Sequence, residues 1–495
     1  GKDTVWLFIL KNMPRPRFME NGFDLLAGNP PWLPLRYIAD AQYSREVKQL
    51  VLRTYRIMDP KKAHLFTHID LAPLFFVHAA FLYLKKGGHI AFVMPRGVLS
   101  ADQYAAFTSF DFLGDEYIGF ALEQVVDLAP VPKDREVTPL FRQAACALLA
   151  ERGADTKWPV LATEMQGKLT AKNLNWQEAR KQLKLTVVEL NRVAGRLLPE
   201  DKRLRPQAKS YYYDKVFQGA TLVPRNFFFV QSAPQPGPLT APNLVTDEEE
   251  ARQSKPPWRD IRMREAVEAR FIFATLLGGD VLPFGHAPLR PVVLPLLVQD
   301  GKPVLLNYNT SIEEGYTWLA RWLRTWETHW QQYAKKARKG HARVATVLER
   351  LDYNGLLTRQ AVSGGYKVLY NRSGTHIAAC VVRANELAKL TLQTGFAVLA
   401  TGFVADNAEY YYETENKDEA NYLTAVLNSP VLDKAIKGLQ SRGLFGERDI
   451  HRKLFLFPTP QYNPKLASHR KLAEMGKQCE EKVAQLLPQL LPKYK

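Results

Sequence analysis

Cysteine is nearly absent. The chain of 495 residues holds three, Cys146, Cys380 and Cys479. An odd and widely spaced set fits neither a disulfide framework nor a zinc ligand cluster, and it suggests a reducing, cytoplasmic setting. Long apolar runs are missing too. The greasiest stretch, Ile69 to Leu84, contains Asp70, Pro73 and His78. It is shorter than the roughly 20 apolar residues a membrane span needs, so a buried helix is expected and no membrane partner. Gly1 to Leu10 has a short apolar run but no small-residue cleavage site, so it does not read as a secretory signal. Among 29 glycines no two are separated by a single residue, which leaves no Gly-x-Gly nucleotide turn. No Gly-x-x-x-x-Gly-Lys phosphate loop occurs either, and no Pro-Asp dipeptide, which excludes a nuclease of the Pro-Asp…Glu-x-Lys type. The ten histidines fall in no metal-ligand spacing; His64 and His68 lie one turn apart without a third ligand, so they read as structural and no metal is expected. No internal repeat is visible.

What is present bounds the class. The length exceeds one ordinary core, so about two to four domains are expected. At 46% hydrophobic and 24% charged residues, the chain is neither disordered nor a low-complexity tract. The formal charge of +17 favours a polyanionic partner.

The first 150 residues follow a strand–helix–strand grammar. A short strand GFDLLAG ends at Gly28, and a helical stretch runs from about Asp40 to Met58. The buried helix follows, stopped by Gly87-Gly88, and His89 to Met94 reads as an apolar strand broken by Pro95. Further strands are expected at Glu123 to Leu128 and Ala144 to Ala150, with PVPKDREVTP as the loop between them. From about Asp155 short strand-like runs alternate with loops: Pro159 to Ala162, Asn226 to Val230, Tyr366 to Tyr370, Ile377 to Val382 and Phe396 to Leu399. Ser232 to Pro257 reads as a long loop or linker with an acidic patch at Asp247 to Glu250. Ile312 to Leu351 reads as largely helical, and its Trp318, Trp322, Trp326 and Trp330 share one face by their spacing of four. That face reads as core packing rather than a base-stacking surface. The tail from Pro464 to Leu491 is a basic helix.

One tetrapeptide carries chemistry: Asn29-Pro30-Pro31-Trp32, just beyond the first strand. Open α/β sheets build their sites at the carboxyl ends of strands. An aromatic exocyclic amine is a poor nucleophile because its lone pair is delocalised into the ring. Two acceptors aimed at its N–H bonds draw the nitrogen towards tetrahedral geometry. Asn29 supplies a side-chain oxygen, and the carbonyl of Pro30 or Pro31 supplies the second acceptor. Proline offers no donor and fixes φ, and the residue before a proline is held extended. Trp32 offers a flat face for a base taken out of the stack. Read blandly, the same four residues are a rigid turn between strand and helix.

At these residues the sequence resembles the N6-adenine DNA methyltransferases of restriction-modification and phage-defence systems, which carry an Asn/Asp-Pro-Pro-aromatic motif after such a strand. DLAPLFFVHAAFLYLKKGGHIAFVMPRGVL, from Asp70 to Leu99, is similar to the helix, Gly-Gly turn and strand that follow that motif. Three later segments resemble the target-recognition domain of the large single-chain enzymes: QGATLVPRN (Gln218 to Asn226), ATGFVADN (Ala400 to Asn407) and SRGLFGERDIHRKLFLFPTP (Ser441 to Pro460). The resemblance implies a Rossmann-like α/β methyltransferase sheet, here its C-terminal part, followed by an α+β target-recognition domain and a C-terminal helix. The expected boundaries are 1–153, 154–462 and 463–495. It implies S-adenosylmethionine as cofactor, with Asn29 at the edge of its site, and double-stranded DNA as partner. The family's cofactor site begins with a Gly-x-Gly loop that this chain lacks, so the cofactor half is expected in a preceding segment or a separate subunit. Other proteins of a defence system are possible partners.

DNA contacts are expected where cations sit in flexible or turn sequences, since phosphates are met by Arg, Lys and small polar residues and guanine by bidentate Arg. The candidates are Arg225, Arg372, and the stretch Ser441, Arg442, Arg448, His451, Arg452 and Lys453. The basic run 335–343 is weaker, and Arg96 either faces DNA or caps a loop. Rival expectations are a non-catalytic DNA-binding specificity module, and a methyltransferase acting on RNA, cytosine-N4 or a glutamine amide.

Overall fold

The computed structural model describes residues 19–38, 40–114, 117–130, 136–193, 195–199, 210–299, 302–337, 345–383, 389–393, 396–443 and 446–490. The chain forms two compact units, residues 1–206 with 435–449, and residues 207–434 with 450–495. The architecture is mixed α/β: a large mixed sheet with helices, and a second body of small sheets and helices.

The first unit is organised by a nine-stranded sheet. Strand β1 is Phe23–Gly28. Helix α1 (Ala41–Gln49) follows, and its N-terminus is closed by Asp40, whose side chain accepts from the Tyr43 amide at 2.7 Å. Helix α2 (Leu71–Tyr83) is apolar on all sides and largely buried, and its Pro73 sits in the first turn where no N–H is needed. β2 (Leu84–Pro95) starts at once, so the helix stops four residues before Gly87. The expected Gly-Gly helix stop lies inside the strand, where the β1–β2 register shifts. β3 (Ile118–Asp127), β4 (Ala145–Arg152), β5 (Val160–Lys168), helix α3 (Trp176–Gln182), β6 (Leu183–Val193) and β7 (Arg196–Pro199) follow, and the short strands Asp111–Phe112, on β3, and Val137–Thr138, on β5, bring the described sheet to nine. The strand order is β1-β2-β4-β3-β5-β6-β7. β1 and β2 are parallel, and β4 runs antiparallel between β2 and β3. Residue 153 falls between β4 and β5, inside this sheet. Phe76 of α2 anchors the core, with the rings of Phe92, Phe107, Phe110 and Phe120 at 5.5–6.4 Å.

The second unit has its own core. Helix α4 (Thr317–Ala337) buries Trp322, Trp326 and Trp330. The indoles of Trp322 and Trp326 both donate to the carbonyl of Phe227, at 3.1 and 3.0 Å, and Trp330 donates to Ala345 at 2.7 Å. The tryptophan face is core, as its spacing implies; Trp318 alone stays exposed, under the Arg321 guanidinium. A four-stranded sheet joins Phe217–Gln218, Glu409–Thr414, Tyr366–Asn371 and Ala379–Arg383. Two expectations fail here. Asn226 to Phe228 is a helical turn, and strand begins only at Val230. Ser232 to Pro257 is no linker, since it holds the strand Asn243–Thr246 and the helix Glu248–Gln253. The acidic patch is that helix's capped first turn, where carboxylates favour the positive end of the helix dipole. The C-terminal helix is Ala467–Leu490. Among the described residues no helix is long and apolar enough to cross a membrane, and no group of His, Cys, Asp or Glu could hold a metal. The part of the basic run at 338–343 lies outside the described residues.

Candidate active site

β1 delivers the tetrapeptide to the carboxyl end of the sheet. Gly28 pairs with Phe92 of β2, and a Cβ at Gly28 would stand 3.3 Å from the Phe92 ring. Asn29 is exposed, Pro30 buried, Pro31 exposed and Trp32 half-buried. Among the described residues neither the Asn29 amide nor the Pro30 and Pro31 carbonyls have a hydrogen-bond partner. The acceptors that amine chemistry requires are therefore unengaged. Trp32 is fixed instead. Its indole N–H donates to the Val93 carbonyl at 3.2 Å, and its ring lies against Phe141 with centroids 5.6 Å apart. Phe141 was not legible as a site residue, because only the fold brings its loop to the motif.

The exit of the loop is also pinned. The Leu71 amide donates to Leu33 at 3.0 Å and the Leu35 amide to Ile69 at 2.9 Å. Beside this ladder the Tyr104 hydroxyl donates to the Asp70 carboxylate at 2.6 Å and accepts from the Asp70 amide at 3.1 Å. Burial pushes the Asp70 carboxyl up, while the Tyr104 bond and Arg36 draw it down. Arg96, at the end of β2, forks onto Asp127 at the end of β3, at 2.9–3.0 Å. The arginine is thus engaged in a largely buried pair. His68 accepts from Arg36 at 3.5 Å, on the surface.

In the second unit two of the recognition-like segments lie side by side. The Ala220 amide donates to Ala405, and the Asn407 amide to Ala220, each at 2.8 Å. Gln218 donates through its side chain to Asn407 at 3.0 Å. The glycine between them is required: a Cβ at Gly219 would stand 2.2 Å from the Asp406 carbonyl. Arg225 and Arg372 line one cleft, together with Arg290, Glu250 and Asp280. Arg225 donates to Glu250 at 2.6 Å. Arg290 was not singled out from sequence; it bridges Glu250 at 2.8 Å and Asp280 at 2.6 and 3.0 Å. Behind the cleft Asp406 and Glu409 are buried. Burial pushes Asp406 up to about 6 against the pull of the Ala408 amide and Arg225, and burial beside Asp406 and Asp280 pushes Glu409 well above the carboxylate range.

The remaining candidates are spread out. Ser441–Gly443 pairs with Gly446–Arg448 as a small hairpin of the first unit, with Ser441 opposite Arg448 and Arg442 opposite Glu447; Arg448 is exposed. In the second unit the His451 carbonyl accepts from the Tyr370 hydroxyl at 2.9 Å, and Arg452 lies 6.0 Å from the rings of Tyr213 and Phe217. Lys453 is buried, with 4% of its surface exposed.

No protein-family model and no curated protein matches the chain. Solved structures of restriction-modification enzymes do. The Type IIL restriction-modification enzyme MmeI in complex with DNA shares 10% identity, over 91% of this chain and 48% of its own, with a TM-score of 0.47. The nuclease-deleted Type ISP enzyme LlaGI with a DNA substrate mimic shares 8%, over 96% and 42%, with a TM-score of 0.46. The DrdV–DNA complex shares 10%, over 92% and 43%, with a TM-score of 0.41. The chain spans about half the length of these proteins or less.

Proposed function

We propose that the first unit carries the target-base site of a DNA adenine-N6 methyltransferase of a restriction-modification or phage-defence system, and that the second unit contacts the DNA. The observation that carries the reading is the unengaged acceptor set of Asn29, Pro30 and Pro31 beside an indole already fixed by its own N–H. Asn29 takes one amine hydrogen on its side-chain oxygen, and a proline carbonyl takes the other. Trp32 stacks on the extruded base, and Phe141 packs against the indole and holds it in place. Because these acceptors stand in place before the base arrives, little reorganisation is needed as the nitrogen becomes nucleophilic.

The methyl donor expected from the family is S-adenosylmethionine. The described residues do not fit it by themselves. β1 is an edge strand among them, and no Gly-x-Gly turn follows any strand.

The direct test is product identity. Duplex DNA incubated with the complete protein and S-adenosylmethionine, then digested to nucleosides, should contain N6-methyldeoxyadenosine by mass spectrometry. N4-methyldeoxycytidine alone would move the same site to the other planar amine. Absence of both would leave a DNA-binding module without chemistry.

A further inference from the structure

We propose that the cleft of the second unit seats a backbone phosphate of duplex DNA, held by Arg372 and the Gly278–Gly279 turn. The inference rests on the DNA reading above and deepens it by naming the group bound and the residues that bind it. The cleft encloses about 440 Å³. Two of its three guanidiniums are already engaged, Arg225 with Glu250 and Arg290 with Glu250 and Asp280. These two cations and two anions offset one another. Arg372 is different. Its backbone is held on both sides, its amide donating to Ala408 at 2.9 Å and its carbonyl accepting from Ile450 and His451 at 2.9 and 3.1 Å. Its guanidinium has no ion pair or hydrogen bond among the described residues. Its donors remain for a ligand, and the charge set against it among the described residues is the buried Asp406 carboxyl behind the cleft, which has no direct bond to it.

Across the cleft lies a turn closed at both ends. The Asp280 amide donates to the Leu277 carbonyl at 2.7 Å, and the Leu277 amide donates to the Asp280 carboxylate at 2.9 Å. The amides of Gly278 and Gly279 have no partner among the described residues. A Cβ at Gly279 would meet no heavy atom within 4 Å, so the backbone there is open to a ligand. Guanidinium, two backbone N–H groups and the Ser373 hydroxyl are all donors, and donors of this mix recognise a phosphate oxygen. Among the described residues no aromatic side chain lines the cleft, which disfavours a stacked base. Gly279 and Ser373 are exposed, so the seat opens outward, as a phosphate on a long polymer requires.

Affinity of the full chain for duplex DNA, measured against salt concentration, tests this. Arg372→Ala should weaken binding about tenfold near 0.15 M salt and flatten the slope of log affinity against log salt by about 0.9, the loss of one phosphate contact. Arg372→Lys should keep the slope. A Cβ at Gly279 meets nothing within 4 Å, so Gly279→Asp should fold normally and weaken binding by a similar factor. Unchanged slope and affinity in Arg372→Ala and Gly279→Asp, with unchanged melting temperature, overturn the proposal. Inorganic phosphate bound at millimolar concentration by the wild type and lost in Arg372→Ala, with the DNA slope intact, would make this a free-phosphate site and overturn it as well. A wild type without salt-dependent duplex binding would fail the DNA reading itself, and the seat with it.

Discussion

Trp32 donates its indole N–H to the Val93 carbonyl at 3.2 Å. Val93 stands one place beyond Phe92, the partner of Gly28 in the parallel register. The last residue of the motif is thus tied to the strand beside the one that begins it, and the loop between is closed at both ends. A ring fixed along its N–H edge and backed by Phe141 is held at one angle, with the part of its surface away from Phe141 left for a base. Trp32→Phe removes the bond and keeps a ring, so methyl transfer should fall by about fivefold to tenfold, the value of one net hydrogen bond. Trp32→Ala removes the stack too and should cost on the order of a hundredfold. Single-turnover rates on a duplex carrying the target adenine check both.

Glu250 is the hinge of the cleft's charge network. Its side chain is 1% exposed and meets both Arg225 and Arg290. Glu250→Ala leaves two partly buried guanidiniums without their shared anion and should destabilise the second unit by about 3–5 kcal/mol. Urea unfolding monitored by tryptophan fluorescence is weighted towards this unit, because five of the nine tryptophans fall in it and Trp322, Trp326 and Trp330 lie in its core.

Gly219 and Gly279 make a matched pair of opposite outcome. A Cβ at Gly219 meets the Asp406 carbonyl at 2.2 Å, and a Cβ at Gly279 meets nothing. Gly219→Ala should destabilise by about 3 kcal/mol through overpacking, and Gly279→Ala should stay within about 0.5 kcal/mol of wild type. The same unfolding assay separates them.

Asp406 gives the second unit a pH dependence. Burial raises its carboxyl to about 6 from an ordinary 3.8, with Arg225 and Arg372 opposing the rise. The folded state holds this proton more tightly than the unfolded chain. The stabilisation is therefore full below about pH 4 and lost as pH rises through about 6, by up to about 3 kcal/mol. Glu409, buried beside it, shifts in the same direction. The fall in unfolding free energy between pH 5 and pH 7.5 should be smaller in Asp406→Asn than in wild type.

Much of the fold was legible where local rules and burial agree. HIAFVM had to be a buried strand, and a helix with Trp322, Trp326 and Trp330 on one face had to turn that face inward. The motif was legible because two prolines and an asparagine leave acceptors in a rigid turn. The misreadings have physical causes. Gly87-Gly88 looks like a helix stop, yet a continuous strand from Leu84 absorbs both glycines at a register shift. Ser232 to Pro257 looks like a linker because its strand spans only Asn243–Thr246 and its helix only Glu248–Gln253, with Pro-rich stretches before the one and after the other. Phe141, Arg290 and the Gly278–Gly279 turn carry no local signal; their neighbours are 10 to more than 100 residues away in the chain.

The central claim is that Asn29 holds the reacting amine. The most direct measurement is methylation of target-site duplex DNA by Asn29→Ala in the complete protein with S-adenosylmethionine, beside its DNA affinity. Loss of at least about a thousandfold in methyl transfer, with affinity within a few-fold of wild type, is the expected result. Methylation at the wild-type rate would contradict it.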